Sequence, residues 1–279
     1  MSLPEPETEE GRAGLAALRT DPARAVLALD FDGTLAPIVA DPGAARAHPG
    51  AVPVLGRLAP RLAGVVVITG RPAADAVAYG GFAAAEGLEG LTVLGAYGAE
   101  RWDAADGVVR APEPPAGVAA VREELPALLD GAGAPEGTWT EDKGRALAVH
   151  TRRTASPDEA FALLRDPLYA LAERHGLVVE PGRMVLELRP PGVDKGAALT
   201  GYVRERAATT VVYAGDDRGD LPAYDAVGAL RREGVGGLLL YSAPEAGDET
   251  VPDLARRADV TVRGPAGLVE WLRGLAGLL

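Results

Sequence analysis

The feature that most constrains this chain is a repeated unit: a short apolar run that stops at Asp, Thr or Gly. Ala25 to Leu29 runs into Asp30, Val65 to Ile68 into Thr69-Gly70, Leu91 to Leu94 into Gly95, and Val211 to Ala214 into Gly215. Leu238 to Tyr241 and Val260 to Val262 follow. Continuous apolar runs of roughly four to six residues fit strands buried on both faces, as in a parallel sheet. Segments with helical spacing lie between and after them: Val54, Leu55, Leu58 and Leu62 in Pro53 to Ala63, and Leu268, Val269, Leu272 and Leu275 in Ala266 to Leu279. Strand and helix in alternation predict an α/β fold with a doubly wound parallel-sheet core.

The middle of the chain has a different rhythm. Leu147 and Val149 alternate with Ala148 and His150, and Leu177 to Val179 and Met184 to Leu188 read as further strands. Asp158 to His175 between them has an amphipathic helical pattern that stops at His175-Gly176. The Pro-rich stretch Ala111 to Gly117 reads as a connector. These signals predict a small α+β domain at 108–188 inserted into a core made of 1–107 and 189–279.

Composition narrows the chemistry. There is no cysteine, so disulfides and thiolate catalysis are excluded and a cytoplasmic setting is the expectation. Only three histidines are present, so the available metal ligands are carboxylates. The net charge of −12 and the lack of a Lys/Arg-rich run argue against nucleic acid as a partner. No apolar run approaches the ~18–20 residues of a membrane span. The acidic, Pro-rich start MSLPEPETEEGR reads as a short disordered lead-in rather than a secretory signal.

Four motifs carry chemistry. Asp30-Phe31-Asp32-Gly33-Thr34-Leu35 follows a strand, where ligands of doubly wound sheets bind. Its two carboxylates can reach one reacting centre, and a carboxylate can accept a phosphoryl group. An Asp-Gly pair also makes ordinary turns. Gly215-Asp216-Asp217-Arg218-Gly219-Asp220 crowds three carboxylates into one loop, a repulsive arrangement that a hard cation such as Mg²⁺ relieves. The plain alternative is a solvated acidic loop. Thr69-Gly70-Arg71 offers a hydroxyl and backbone N–H groups for phosphate oxygens. Asp194-Lys195-Gly196 precedes a segment read as a helix at Ala197 to Arg206, and its lysine can neutralise phosphate and a nucleophile's charge.

Their order, a carboxylate pair, a hydroxyl, a lysine and an acidic loop, resembles the haloacid dehalogenase (HAD) superfamily. That resemblance implies Asp30 as nucleophile, Asp32 as general acid and base, and Thr69 and Lys195 as phosphate holders. It implies a Mg²⁺ site built from Asp30, the backbone carbonyl of Asp32 and Asp216, with Asp217 and Asp220 ligating the ion or orienting its water. The longest gap in the series falls between Thr69 and Lys195, which puts the extra domain where this superfamily carries its C2-type cap, a lid that excludes water and reads the leaving group.

Within that superfamily the chain resembles the trehalose-6-phosphate phosphatases. The match lies in Asp30 to Ile38, Thr69 to Arg71, Gly95 to Glu100, Glu141 to Gly144, Ala148 to Arg152, Val185 to Pro190, Val193 to Gly196 and Gly215 to Tyr224. Tyr97 stands where that family commonly has His, and Gly219 and Leu221 depart from its acidic loop. The resemblance implies hydrolysis of trehalose 6-phosphate through an aspartyl phosphate. It also implies substrate contacts from Arg71 and from Glu141, Lys143, His150, Arg152, Arg183 and Glu187, and a functional partnership with a trehalose-phosphate synthase. Charged hydrogen-bonding groups suit a disaccharide, which offers only hydroxyls. The alternative for the inserted residues is a set of cross-strand ion pairs, Glu141 with Lys143 and Arg152 with Glu187. Alternative functions are a C2-capped phosphatase for sucrose phosphate or mannosyl-glycerate phosphate, and a non-catalytic sugar-phosphate sensor.

Overall fold

The computed structural model describes residues 3–39, 41–83, 85–113, 115–182, 184–244 and 250–279. Two compact units emerge: residues up to Ala111 together with Asp194–Leu279, and Pro112–Val193.

The first unit is built on an eight-stranded sheet. Its parallel part comprises β1 (Ala25–Leu29), β2 (Gly64–Ile68), β3 (Leu91–Gly95), β10 (Thr210–Gly215), β11 (Gly236–Ala243) and β12 (Val260–Arg263). Two antiparallel strands, β4 (Glu100–Asp103) and β5 (Val108–Arg110), extend one edge, so the order is β12-β11-β10-β1-β2-β3-β4-β5. Each apolar run noted above is a strand of the parallel part. β1 lies at its centre and is buried along its whole length. Two apolar layers explain that burial. One gathers Leu27, Leu29, Val65, Val67 and Leu268, and the other gathers Val26, Ala28, Val66, Ile68 and Leu199, so alternate residues of each strand serve opposite faces. Helices cover both faces: α2 (Ala51–Leu58) and α9 (Gly264–Leu278) contribute to the first layer, α6 (Lys195–Glu205) and α7 (Leu221–Arg232) to the second.

Two details differ from the sequence expectation. The last four residues of the segment read as a lead-in, Glu9 to Arg12, instead open α1 (Glu9–Thr20). Thr8 caps it by accepting from the Gly11 N–H at 2.9 Å, and the Thr8 hydroxyl donates to the buried Asp259. Leu18 then packs into the first apolar layer. An acidic, Pro-rich pattern therefore hides a helix start whose capping residue is tied to a distant strand end. The second difference concerns the helix expected over Pro53 to Ala63. It ends at Leu58 and continues only as a 3₁₀ turn, Ala59–Arg61, that contains Pro60.

The second unit holds a four-stranded antiparallel sheet in the order β6-β7-β9-β8, from β6 (Trp139–Asp142), β7 (Leu147–His150), β8 (Val178–Gly182) and β9 (Val185–Arg189). Helices α4 (Ala116–Gly131) and α5 (Pro157–Arg174) cover one face through Val121, Leu125, Leu164, Leu168, Val149, Leu186 and Leu188. The unit starts a few residues after position 108 because Val108–Arg110 pairs with β4 in the large sheet. It ends after 188, because β9 continues to Arg189 and its guanidinium donates to the Val193 carbonyl. No helix among the described residues is long and apolar enough to cross a membrane.

Candidate active site

Asp30 is the first residue beyond β1, and its backbone N–H still bonds the Ala214 carbonyl of β10 at 2.9 Å. The carboxylate therefore sits at the carboxyl end of the central strand pair. Beside it, Gly33 occupies φ +71°, and a Cβ there would lie 2.0 Å from Asp216 Oδ2. Only glycine lets the first loop close on the acidic one. Thr34 Oγ1 donates to Asp216 Oδ1 at 3.2 Å, and Ser242 Oγ at the end of β11 donates to the Gly33 carbonyl at 2.8 Å.

Lys195 is the first residue of α6, where Asp194 caps by accepting from the Ala197 N–H at 2.8 Å. Its ammonium bridges Asp30 Oδ1 at 2.7 Å and Asp220 Oδ1 at 2.8 Å. All three side chains are nearly or fully buried: Asp30 is 4% exposed, Lys195 3% and Asp220 0%. Asp220 has more partners. Tyr213 Oη donates to the same oxygen at 2.6 Å, and the Asp216 and Asp217 N–H groups donate to the other at 2.9 and 3.1 Å. A carboxylate offers about four acceptor positions, so four donors saturate Asp220.

Ligand atoms of Asp30, Asp216 and Asp220 lie within 4.8 Å of one another. Burial pushes Asp30 well above the usual carboxylate range; Lys195 pulls it back, while Asp220 and Asp217 push it further up. Asp216 is raised in the same way, by burial first and then by Asp30, Asp217 and Asp220. Burial alone would lower the Lys195 amine, but Asp220 and Asp30 more than reverse this and keep it charged. One buried ammonium thus serves three buried carboxylates. The all-oxygen donor set and the surplus negative charge fit a hard divalent cation.

The other core residues are arranged differently. Asp32 is not in the carboxylate cluster; it faces Arg71, which grips it in two parallel bonds of 2.6 and 2.7 Å. The Arg71 guanidinium also lies over the rings of Phe31 and Tyr79. Thr69 is buried and its hydroxyl accepts from the Arg71 N–H at 3.1 Å. Asp217 is exposed, as is Arg218 beside it, and it accepts from the Gly219 N–H at 2.8 Å. Thr34, Tyr213 and Ser242 escaped the sequence reading. Position alone could have flagged Thr34, inside the first motif, and Ser242, just past a strand run. Nothing in the sequence signals Tyr213.

In the inserted unit the polar face is ordered by register. Glu141, Ala148, Glu187 and Glu180 form one row across the four strands, and Trp139, His150, Val185 and Gly182 form another. The observed pairs are Lys143 with Glu187 and His150 with Glu141, the latter at 2.9 Å. Trp139 stacks on His150 with centroids 3.8 Å apart, and the Arg153 guanidinium lies 4.9 Å from the Trp139 ring centre. Glu187 is 5% exposed, and its Oε1 is buried without a hydrogen-bond partner among the described residues. Arg152 is exposed just beyond β7. Arg183 lies outside the described residues.

The trehalose-phosphatase family profile matches residues 28–245, which contain all four motifs. The chain is 36% identical over 265 residues to the trehalose-phosphate phosphatase of Mycobacterium marinum (strain ATCC BAA-535 / M), covering 92% of this chain and 62% of that protein. The chain thus spans less than two thirds of that relative's length. Among solved structures, the C-terminal domain of Candida albicans trehalose-6-phosphate phosphatase superposes with a TM-score of 0.73 at 21% identity, covering 100% of both chains. The C-terminal domain of a Candida albicans trehalose synthase regulatory protein superposes with 0.66 at 12% identity, covering 93% of this chain and 98% of that one. A catalytic and a regulatory protein share the fold, so fold alone does not decide activity. The motif order, the buried Asp30–Lys195–Asp220 bridge and the sequence match agree: the chain belongs to the trehalose-phosphatase family, with the HAD-like core and inserted cap of that fold.

Proposed function

We propose that this chain hydrolyses trehalose 6-phosphate to trehalose and phosphate through an aspartyl phosphate on Asp30. The observation that carries the reading is the buried bridge from Lys195 to Asp30 and Asp220 at the carboxyl end of the central strands. A buried ammonium aims Asp30 and stands ready to stabilise added negative charge.

An Asp30 carboxylate oxygen attacks phosphorus in line. The bond from phosphorus to the sugar 6-oxygen breaks, and Asp32 supplies the proton that the oxygen takes up. Water then attacks the acyl phosphate; its proton passes to Asp32, its hydroxyl to phosphorus, and Asp30 is restored. Arg71 binds the incoming phosphoryl group, which competes with Asp32 for the guanidinium and frees Asp32 for proton transfer. Thr69 and Lys195 hold the phosphoryl oxygens. Asp30, Asp216 and the Asp32 carbonyl would hold Mg²⁺, with Asp217 orienting its water; the ion supplies charge neutralisation at the phosphoryl oxygens. Asp220, saturated by protein donors, positions Lys195 and the acidic loop.

The sugar-binding residues in this reading are Glu141, Lys143, His150, Arg152 and Glu187. Glu187 Oε1, buried without a hydrogen-bond partner among the described residues, is a ready acceptor for a sugar hydroxyl. Cytoplasmic location and supply of substrate by a trehalose-phosphate synthase belong to the same proposal. Phosphate release with Mg²⁺ across a panel of sugar phosphates tests it. Trehalose 6-phosphate is expected to be cleaved fastest; a rate no better than for glucose 6-phosphate rejects the substrate. Binding of the sugar phosphate without release supports the sensor instead.

A further inference from the structure

The loop after β3 places two adjacent non-glycine residues in the left-handed backbone region, Ala96 at φ 47° and Tyr97 at φ 58°. Side chains with a Cβ disfavour this region, and such strain persists only where surroundings over-determine it. Here the surroundings are the Thr69-Gly70-Arg71 loop. The Ala96 N–H donates to the Arg71 carbonyl at 2.7 Å, the Tyr97 N–H to the Thr69 carbonyl at 2.8 Å, and the Thr69 N–H to the Leu94 carbonyl at 3.0 Å. The Tyr97 ring lies over Gly70, where an added Cβ would sit 2.8 Å from the ring. Just beyond, Glu100 accepts from the Ala73 N–H at 2.7 Å in the first turn of α3 (Ala73–Gly80). Turning both N–H groups toward Thr69 and Arg71 is what the left-handed conformation achieves.

The loop so held bears directly on the site. The Thr69 hydroxyl accepts from the Arg71 N–H, and the Arg71 guanidinium holds Asp32. We propose that Ala96-Tyr97-Gly98 is a strained positioning strap, which fixes the Thr69–Arg71 loop and through it Asp32. The proposal rests on the phosphatase reading above. Ala96 and Tyr97 are positioning residues; neither is required to touch the substrate.

Strain kept for positioning has an unusual signature: relaxing it stabilises the protein while slowing it. Ala96→Gly accepts the positive φ freely. Tyr97→Asn tolerates it but lacks the ring, whereas Tyr97→Phe keeps the ring. Kinetics on trehalose 6-phosphate with Mg²⁺ and thermal melts would be measured for wild type and all three. Ala96→Gly should raise the melting midpoint by about 1–3 °C and lower kcat about 3–10-fold with KM little changed. Tyr97→Asn should lower kcat about 10-fold or more, and Tyr97→Phe should recover most of it. Wild-type kcat in both Ala96→Gly and Tyr97→Asn would overturn the strap. So would a lower midpoint together with lower kcat in Ala96→Gly, the pattern of a plain structural role. Wild-type protein that releases no phosphate from any ester would instead reject the phosphatase reading, and the strap with it.

Discussion

The two polar clusters of this protein are built on opposite principles. In the core, Asp30 and Asp216 directly follow buried parallel strands, Lys195 opens α6 and Asp220 closes the acidic loop, and their charges face one another out of water. In the insert, Glu141, His150 and Glu187 lie on the strands of an antiparallel sheet and Lys143 just beyond β6; they pair with one another, and all but Glu187 are partly exposed. Buried charges in fixed geometry need little reorganisation when a phosphoryl group arrives, which suits bond-breaking. Partly exposed charges beside a sheet keep contact with water and can trade a protein partner for another hydrogen-bonding group, which suits reading a ring of hydroxyls. Under the proposed function, rate belongs to the core and discrimination to the insert, and each assignment can be broken.

Within the acidic loop, the largest effect separates Asp216 from Asp220. Asp216→Asn should lower kcat/KM roughly 10²–10³-fold and raise the Mg²⁺ concentration for half-maximal rate. It should also abolish the rise in melting midpoint that Mg²⁺ gives wild type. Asp220→Asn should cost about 10–100-fold in kcat while leaving the Mg²⁺ half-saturation near wild type, because its oxygens serve Lys195, Tyr213 and the backbone. Equal shifts in Mg²⁺ dependence would make Asp220 a ligand after all.

An intermediate effect tests the insert. Glu187→Gln should lower kcat/KM for trehalose 6-phosphate about 10-fold, with a smaller loss on an aryl phosphate that carries no sugar. Equal losses on both would move Glu187 from recognition to folding. The smallest effect concerns the Trp139–His150 stack. Trp139→Leu should cost about 2–10-fold in kcat/KM for the disaccharide phosphate, the value of one aromatic pair that holds His150 against Glu141. An unchanged kcat/KM would show that the stack only stiffens the sheet.

The same contrast governs what could be read from sequence. Three of the four core motifs were legible because each sits at the end of an apolar run, and run length and turn residue are local facts. Lys195 was legible through its helix start, Asp194-Lys195-Gly196. Partners were not legible, because they are set by register and tertiary closure. Lys143, in the turn between β6 and β7, meets Glu187 of β9 rather than Glu141, its neighbour two residues back in the chain. Tyr213 looks like any apolar strand residue until the fold brings Asp220 onto its hydroxyl. Helix α1 was hidden for the same reason: Thr8 is anchored by Asp259, near the far end of the chain.

The most direct test of the central claim is phosphate release from trehalose 6-phosphate with Mg²⁺, comparing wild type with Asp30→Asn alongside their melting midpoints. If Asp30 is the nucleophile, the variant should lose roughly 10⁴-fold or more in kcat while still melting cooperatively within a few degrees of wild type. A folded Asp30→Asn protein that turns over near the wild-type rate would contradict it.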